Sequence, residues 1–133
     1  MPKILVLASD NSSKIKEFNQ IFSKTNFKIH SQSEFGVPKI KEVHPSFIEN
    51  ALAKARHASY LTGLPSIADD SGICINALSG SPGISSAHYA GEPISDKRNN
   101  CKLLTNLAPY TDKSAYYYCV LVFVRYPNDP RPV

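Results

Sequence analysis

Cysteines are few and widely spaced in this 133-residue sequence. Cys74, Cys101 and Cys119 form an odd set without metal-type spacing, which excludes a disulfide framework and indicates reduced thiols. Long apolar runs are also lacking, since none approaches the roughly 18 residues of a membrane-spanning helix. The apolar stretch near the start is too short for a secretory signal peptide. We therefore expect a soluble cytoplasmic protein without a membrane segment.

Concentrated positive charge is absent as well. The 15 lysines and arginines contribute to a formal net charge of +4, but no basic cluster is longer than Lys97-Arg98. A nucleic-acid-binding domain more usually concentrates its basic residues, so we predict no nucleic-acid partner. A modest positive charge also suits a small polyanionic ligand. Apolar residues at 42% and charged residues at 20% are ordinary for a globular protein, and we interpret residues 1–133 as a single domain.

Residue patterns predict strands that alternate with helices. Apolar runs and period-two alternation predict strands at Lys3–Ala8, Phe27–Ile29, Ser66–Ala68, Ile73–Ile75 and Ala115–Val124. Apolar residues at helical spacing predict helices after Ser13, between Ser46 and Gly63, and from Ser95 or Asp96 to about Leu107. Ser46 with Glu49 has the pattern of a capping box, and Ser31 to Pro45 is expected to be a long loop. This order predicts an α/β fold. A turn after the last strand leads toward a partner strand that residues 1–133 do not contain, so we expect the last strand to have unpaired edge groups.

A polar segment separates the first predicted strand from the first predicted helix. Its residues are Ser9, Asp10, Asn11, Ser12, Ser13 and Lys14. Free backbone N–H groups and the helix dipole favour a phosphate group at such a turn, and Lys14 adds a point charge. Helix capping by Asn11 or Ser12, with a solvated Lys14, is the alternative that the segment alone leaves open.

Acidic residues at two places have the chemistry of a divalent-cation site. Asp69-Asp70-Ser71-Gly72 follows a predicted short strand, and paired carboxylates there suit Mg²⁺ with substrate phosphates. Because side chains alternate along a strand, we expect the two aspartates to have different roles. A simple turn entering Gly72 is the alternative. Glu42 lies in the long loop, and Lys54 lies on the polar face of the next helix, where solvation is the default.

Five segments occur in a characteristic order. They are Ser9-x-Asn11-x-x-Lys14, Glu42, Glu49-Asn50-Ala51-x-x-Lys54, Asp69-Asp70-Ser71-Gly72 and Pro82-Gly83-x-x-Ser86-Ala87-x-Tyr89-Ala90-Gly91. In this combination the sequence resembles the inosine triphosphate pyrophosphatase family. Enzymes of that family cleave ITP, dITP and XTP to the monophosphate and pyrophosphate with Mg²⁺. The resemblance implies an elongated, two-lobed α/β fold, related to the Maf-type pyrophosphatases, with a twisted mixed sheet flanked by helices.

The resemblance also implies roles for individual residues. Ser9 to Lys14 would bind the triphosphate, and Lys54 would contact phosphate. Glu42 and Asp70 would hold the metal, and Asp70 would also act as general base toward water. Ser71 would contact the substrate. A homodimer is the usual assembly in the family.

Some family features are not found in residues 1–133. Two segments that read the purine base, Phe-Gly-Tyr-Asp and Ser-His-Arg, do not occur, and His88 stands where the family usually has arginine. Val43-His44 stands where the family has Thr-Gly. We therefore expect the C-terminal part of the fold to be missing. An inactive remnant that binds triphosphate or a partner chain without turnover is the main alternative, and a basic nucleic-acid-binding domain is a weaker one.

Overall fold

Strands alternate with helices in the computed structural model, which describes residues 2–133. The main elements are β1 (Lys3–Leu7), α1 (Ser12–Ile21), β2 (Phe27–Ser31), α2 (Phe47–Thr62), β3 (Ser66–Ile75), α3 (Asp96–Leu107) and β4 (Ala115–Val124). Short 3₁₀ helices lie at Gln32–Phe35, Asn76–Leu78 and Gly83–His88. The predicted α/β class is confirmed by this order.

The strands form one sheet in the order β2-β1-β3-β4. Strand β1 is parallel to β2, with Leu5 opposite Ile29, and it is parallel to β3, with Leu7 opposite Ile67. The parallel pairs explain why β1 is an almost continuous apolar run, since strands covered on both faces need no polar alternation. Parallel strands place their carboxyl ends at one edge of the sheet, so the ends of β1 and β2 meet there. Ser31 Oγ, at the end of β2, donates a hydrogen bond of 2.8 Å to the carbonyl of Ser9, which lies two residues after β1.

Leu5, Leu7, Ile29 and Ile67 form the apolar cluster of this sheet. Phenylalanines cover the cluster: Phe18 of α1 and Phe22, the C-cap of α1, stack at 6.5 Å between ring centroids, and Phe27 meets Phe22 edge-on. Full burial of a leucine or isoleucine side chain contributes about 1.5–3 kcal/mol. The cluster therefore fixes α1 against the sheet and, with it, the loop that precedes α1.

Side-chain caps begin the helices where the sequence predicts. Ser46 Oγ accepts a hydrogen bond from the Glu49 amide at the start of α2, and Ser95 Oγ accepts one from the Arg98 amide at the start of α3. Helix α2 ends at Gly63, whose φ of 69° lies in the left-handed region. Glycine adopts that conformation without the steric cost that other residues have. The predicted limits of α2 are confirmed.

Two predictions about local structure are wrong. Residues Ser66 to Ile75 form one unbroken strand, so the Asp69–Gly72 segment lies within β3 and is not a turn between two short strands. The region from Ser31 to Pro45 is not wholly a loop, because Gln32–Phe35 forms a 3₁₀ helix. Ser31 caps that helix, and the Glu34 carboxylate in turn accepts a hydrogen bond from the Ser31 amide at 2.9 Å.

The predicted turn after β4 is present. Asp129 is fully buried and accepts hydrogen bonds from Arg125 Nε at 2.8 Å and Arg125 Nη2 at 2.7 Å. Side-chain hydrogen bonds from Arg125 hold the pKa of the Asp129 carboxyl well below its usual range. Beyond the turn, Val133 exchanges two backbone hydrogen bonds with Phe123. The expectation that β4 lacks any partner on this side is therefore wrong at Phe123.

The chain divides into two compact units. One unit extends to Asp69 and also contains Leu121–Val133, and the other contains Asp70–Val120. Strands β3 and β4 each contribute residues to both units. Among residues 2–133, no helix is long and apolar enough to cross a membrane.

Candidate active site

The segment from Ser9 to Ser13 is a polar, mostly exposed turn at the start of α1. Asn11 is the N-cap: its Oδ1 atom accepts hydrogen bonds from the amides of Ser13 at 2.9 Å and Lys14 at 3.3 Å. Ser9 Oγ accepts one from the Asn11 amide at 3.1 Å. Helix capping by Asn11, one of the alternatives left open by the sequence, is therefore present. The exposed helix N-terminus still carries the positive end of the dipole.

Lys14 is paired with a buried carboxylate. Its Nζ atom lies 2.8 Å from Asp69 Oδ2, and the Asp69 side chain is only 8% exposed, whereas that of Lys14 is 36% exposed. The alternative of a solvated Lys14 is wrong. Within residues 2–133, the other carboxylate oxygen of Asp69, Oδ1, is buried without a hydrogen-bond partner. Burial of a carboxylate is costly without a partner, and the hydrogen bond from Lys14 offsets that cost.

Lys54 is also paired with a carboxylate. Its Nζ atom lies 2.9 Å from Glu42 Oε1, and the two side chains are 18% and 22% exposed. Asn50, which is buried, braces the loop that carries Glu42: its side chain accepts a hydrogen bond from the His44 amide and donates one to the His44 carbonyl. Solvation of Lys54, the default that the sequence leaves open, is therefore not what the structure shows.

Asp70 and Ser71 lie in the middle of β3. Asp70 is 5% exposed, whereas the Ser71 side chain is exposed. Two adjacent buried aspartates are unusual in a strand, because burial of a charged group is costly unless the group is paired. Asp69 is paired with Lys14. The different roles expected for the two aspartates stay a prediction. Among residues 2–133, no group of three or more histidine, cysteine, aspartate or glutamate side chains forms a ready metal cluster.

Sequence reasoning assigned no bracing role to two buried asparagines. Asn50 occurs in the segment Glu49-Asn50-Ala51-x-x-Lys54, but its hydrogen bonds to the loop that carries Glu42 were not predicted. Asn99 of α3 donates to the Ala87 carbonyl at 2.9 Å and accepts from the Ala90 amide at 2.8 Å. Ser86 and Gly72, which both belong to the five segments of the resemblance, also lie close together. Asn50 and Asn99 are buried amides that satisfy backbone groups, a role that composition and periodicity do not reveal.

The fold is of the α/β class, and its candidate site contains two lysine–carboxylate pairs, Lys14–Asp69 and Lys54–Glu42. The sequence model of the Ham1 family matches residues 5–132. The chain belongs to the Ham1 family.

Curated relatives agree with this assignment. The chain is 54% identical to the dITP/XTP pyrophosphatase of Chromobacterium violaceum over 129 residues, which cover 97% of this chain and 66% of that one. It is also 54% identical to the dITP/XTP pyrophosphatase of Neisseria meningitidis serogroup B over 133 residues, covering 99% of this chain and 67% of that one. The chain thus spans about two thirds of the length of the curated relatives it matches.

Solved structures of Ham1 proteins have the same fold. The protein from Coxiella burnetii superimposes with a TM-score of 0.93 at 43% identity, covering 98% of this chain and 68% of that one. The protein from Staphylococcus aureus gives a TM-score of 0.87 at 38% identity, covering 98% and 67%. The predicted mixed sheet flanked by helices is confirmed by this agreement.

Proposed function

We propose that this chain carries the phosphate-binding and hydrolytic residues of a pyrophosphatase for deaminated purine nucleoside triphosphates. ITP, dITP and XTP are cleaved to the monophosphate and pyrophosphate, which clears them from the nucleotide pool. The observation that carries the proposal is that two lysines, Lys14 and Lys54, are each held by a carboxylate. The names of the curated relatives support the substrate class.

The two lysines neutralise the phosphate chain. An ammonium group has three N–H donors, and the bond to Asp69 or Glu42 uses one of them, so donors remain for phosphate oxygens. The carboxylate restricts the lysine to one region of space, which lowers the entropy lost when phosphate binds. Because a lysine acts on phosphate as a point charge, this contact is the same for every nucleotide.

The turn before α1 completes the triphosphate site. Ser9, Asp10, Asn11, Ser12 and Ser13 line it together with Lys14. Asn11 already occupies the amides of Ser13 and Lys14. The serine hydroxyls and the helix dipole are therefore the groups that this turn offers to phosphate oxygens.

Glu42 and Asp70 would hold Mg²⁺. The donor set fits this ion, because both residues supply carboxylate oxygens and Mg²⁺ is usually held by one or two carboxylates together with substrate phosphates. A larger cluster of protein ligands is not required for that arrangement. When bound, the ion would neutralise charge on the phosphate chain and polarise the phosphoryl group.

Asp70 acts as the general base. Water adds across the bond between the α- and β-phosphates, its proton passes to the Asp70 carboxylate, and pyrophosphate leaves. The Asp70 carboxylate is 5% exposed and so is shielded from bulk water, which favours its acceptance of a proton from a positioned attacking water. Ser71, the exposed neighbour of Asp70, contacts the substrate.

A substrate panel tests the activity. Pyrophosphate release from dITP and XTP should require a divalent metal, with Mg²⁺ effective. Phosphate release in place of pyrophosphate would contradict the cleavage position. Tight binding of dITP without turnover would contradict hydrolysis and favour a chain that only binds triphosphate.

Homodimer formation and a cytoplasmic location also belong to the proposal. Tyr116, Tyr117 and Leu121 of β4 expose apolar surface, with 51%, 77% and 52% of each residue accessible. A second copy of the chain would reduce that exposure. Light scattering during size-exclusion chromatography measures the assembly directly, and a monomer at all concentrations tested would contradict the homodimer.

A further inference from the structure

Gly72 of β3 lies directly against the 3₁₀ helix at Gly83–His88. A Cβ atom at this position would collide with the Gly83 carbonyl and would lie 2.7 Å from Ser86 Oγ. The Gly83 main chain has little room to yield, so only glycine permits so close an approach. The strand and the helical turn are thus in contact through their main chains.

Ser86 joins the two segments through its hydroxyl group. Its Oγ atom accepts a hydrogen bond from the Ile73 amide at 3.0 Å and donates one to the Gly83 carbonyl at 2.6 Å. A serine hydroxyl has one donor and two acceptor sites, so both bonds can form at once. Ser86 therefore holds the backbone amide of Ile73, the strand residue two positions after Ser71.

Helix α3 anchors the segment that carries Ser86. Asn99 is 8% exposed and bonds to the backbone of Ala87 and Ala90. Lys102 Nζ donates to the Tyr89 carbonyl at 2.8 Å and lies 4.4 Å from the centre of the Tyr89 ring. Contacts thus run from a regular helix through the segment after Pro82 to the backbone of β3.

We propose that Ser86 is a positioning residue, which fixes the backbone of β3 beside Asp70 and Ser71 and so sets where these side chains meet the substrate. The proposal rests on the proposed function. Ser71 and Ser86 line the same cavity of about 400 Å³. A shift of Ser86 would therefore change the cavity wall to which Ser71 also belongs. Displacement of a reacting group by about 1 Å can lower a rate about 100-fold.

Ser86→Ala tests the proposal, with Ser85→Ala as the matched control. Ser85 is the preceding residue of the same helical turn, and its side chain is exposed. Ser86→Ala should lower kcat for dITP about tenfold or more while KM stays within about threefold, because substrate binding is retained and orientation is lost. Amide hydrogen exchange in the peptide covering residues 69–75 should become faster. Ser86→Thr keeps the hydroxyl group and should restore most of kcat, whereas Ser85→Ala should match the parent in both measurements.

Hydrogen exchange separates failure of this inference from failure of the proposed function. An unchanged kcat in Ser86→Ala would overturn the positioning role, whether amide hydrogen exchange becomes faster or stays the same. If the parent chain has no activity on dITP or XTP, the proposed function fails, and exchange alone then decides whether Ser86 holds β3. If Ser86→Ala does not fold, Ser86→Thr decides the question. Parental hydrogen exchange together with a tenfold lower kcat in Ser86→Thr would also overturn the positioning role.

Discussion

Lys14 Nζ lies 2.8 Å from Asp69 Oδ2, so the lysine that the sequence assigns to phosphate also neutralises a buried carboxylate. The two functions of Lys14 are separable by mutation. Substrate binding requires the lysine charge, whereas stability requires only that Asp69 is not left buried and unpaired.

Lys14→Ala should therefore weaken both dITP binding and the fold. We expect a loss of about 1–3 kcal/mol in the free energy of unfolding, because the Asp69 charge loses its partner. Lys14→Ala/Asp69→Asn should recover most of that loss but should not recover affinity for dITP. Urea unfolding and titration calorimetry measure the two quantities.

Lys16→Ala is the control for Lys14→Ala, since Lys16 lies on the same helix and is exposed. It should change neither quantity by much. Recovery of dITP affinity in the double variant would show that Lys14 supports the fold only.

Lys54→Ala should weaken dITP binding but leave binding of deoxyinosine unchanged. A charge-assisted hydrogen bond contributes about 1.5–3 kcal/mol, so the loss for the triphosphate should be roughly tenfold or more. Titration calorimetry with the two ligands measures this difference. Lys41→Ala is the matched control, because Lys41 is the exposed residue that precedes Glu42. Equal losses for triphosphate and nucleoside would contradict a phosphate contact.

Asp129 should make the fold sensitive to acid. Hydrogen bonds from Arg125 lower the pKa of Asp129 in the folded chain, whereas an unfolded aspartate has a pKa of about 3.9. Its stabilising contribution is therefore fully present above about pH 4 and is lost as pH falls toward the lowered folded pKa. The difference in unfolding free energy between the parent and Asp129→Asn should shrink between about pH 5 and pH 2. A difference that does not change with pH would contradict the Arg125 pairing.

The elements that follow simple patterns could be predicted from the sequence. Strand β4 has the predicted limits, Ala115–Val124, and α2 lies between Ser46 and Gly63. In these segments the local signals agree with the tertiary structure: apolar β-prone residues form the strand, and a serine and a glycine cap the helix. Family membership, predicted from five short segments, is confirmed by the match over residues 5–132.

The middle of β3 could not be predicted because its stabilising partners are distant in sequence. Asp-Asp-Ser-Gly has the composition of a turn, since polar residues and glycine are disfavoured in strands. Lys14, 55 residues away, offsets the Asp69 charge, and Ser86 bonds to the amide of Ile73. The burial of Asp129 also depends on an ion pair, but its partner Arg125 is only four residues away. The 3₁₀ helix at Gln32–Phe35 is different, because its capping residues Ser31 and Glu34 were a readable signal.

Metal binding and the role of Ser71 remain predictions. Glu42 and Asp70 have suitable donor atoms, but the ion itself must be measured. Titration of Mg²⁺ in the presence of a non-hydrolysable dITP analogue should show binding that Glu42→Gln weakens about tenfold or more, since a Mg²⁺ ligand has been lost. Glu49→Gln, an exposed glutamate of α2, is the control.

Pyrophosphate release from dITP by the parent and by Asp70→Asn tests the central claim most directly. Asparagine keeps the size of the side chain but removes the base and a metal-ligand charge, so the rate should fall by orders of magnitude while the thermal unfolding curve stays nearly unchanged. Glu17→Gln, which removes one negative charge from the exposed side of α1, should retain parental activity. We predict that the parent and Glu17→Gln release pyrophosphate from dITP at similar rates, whereas Asp70→Asn releases almost none. An Asp70→Asn variant that works within a few fold of the parent would contradict the account.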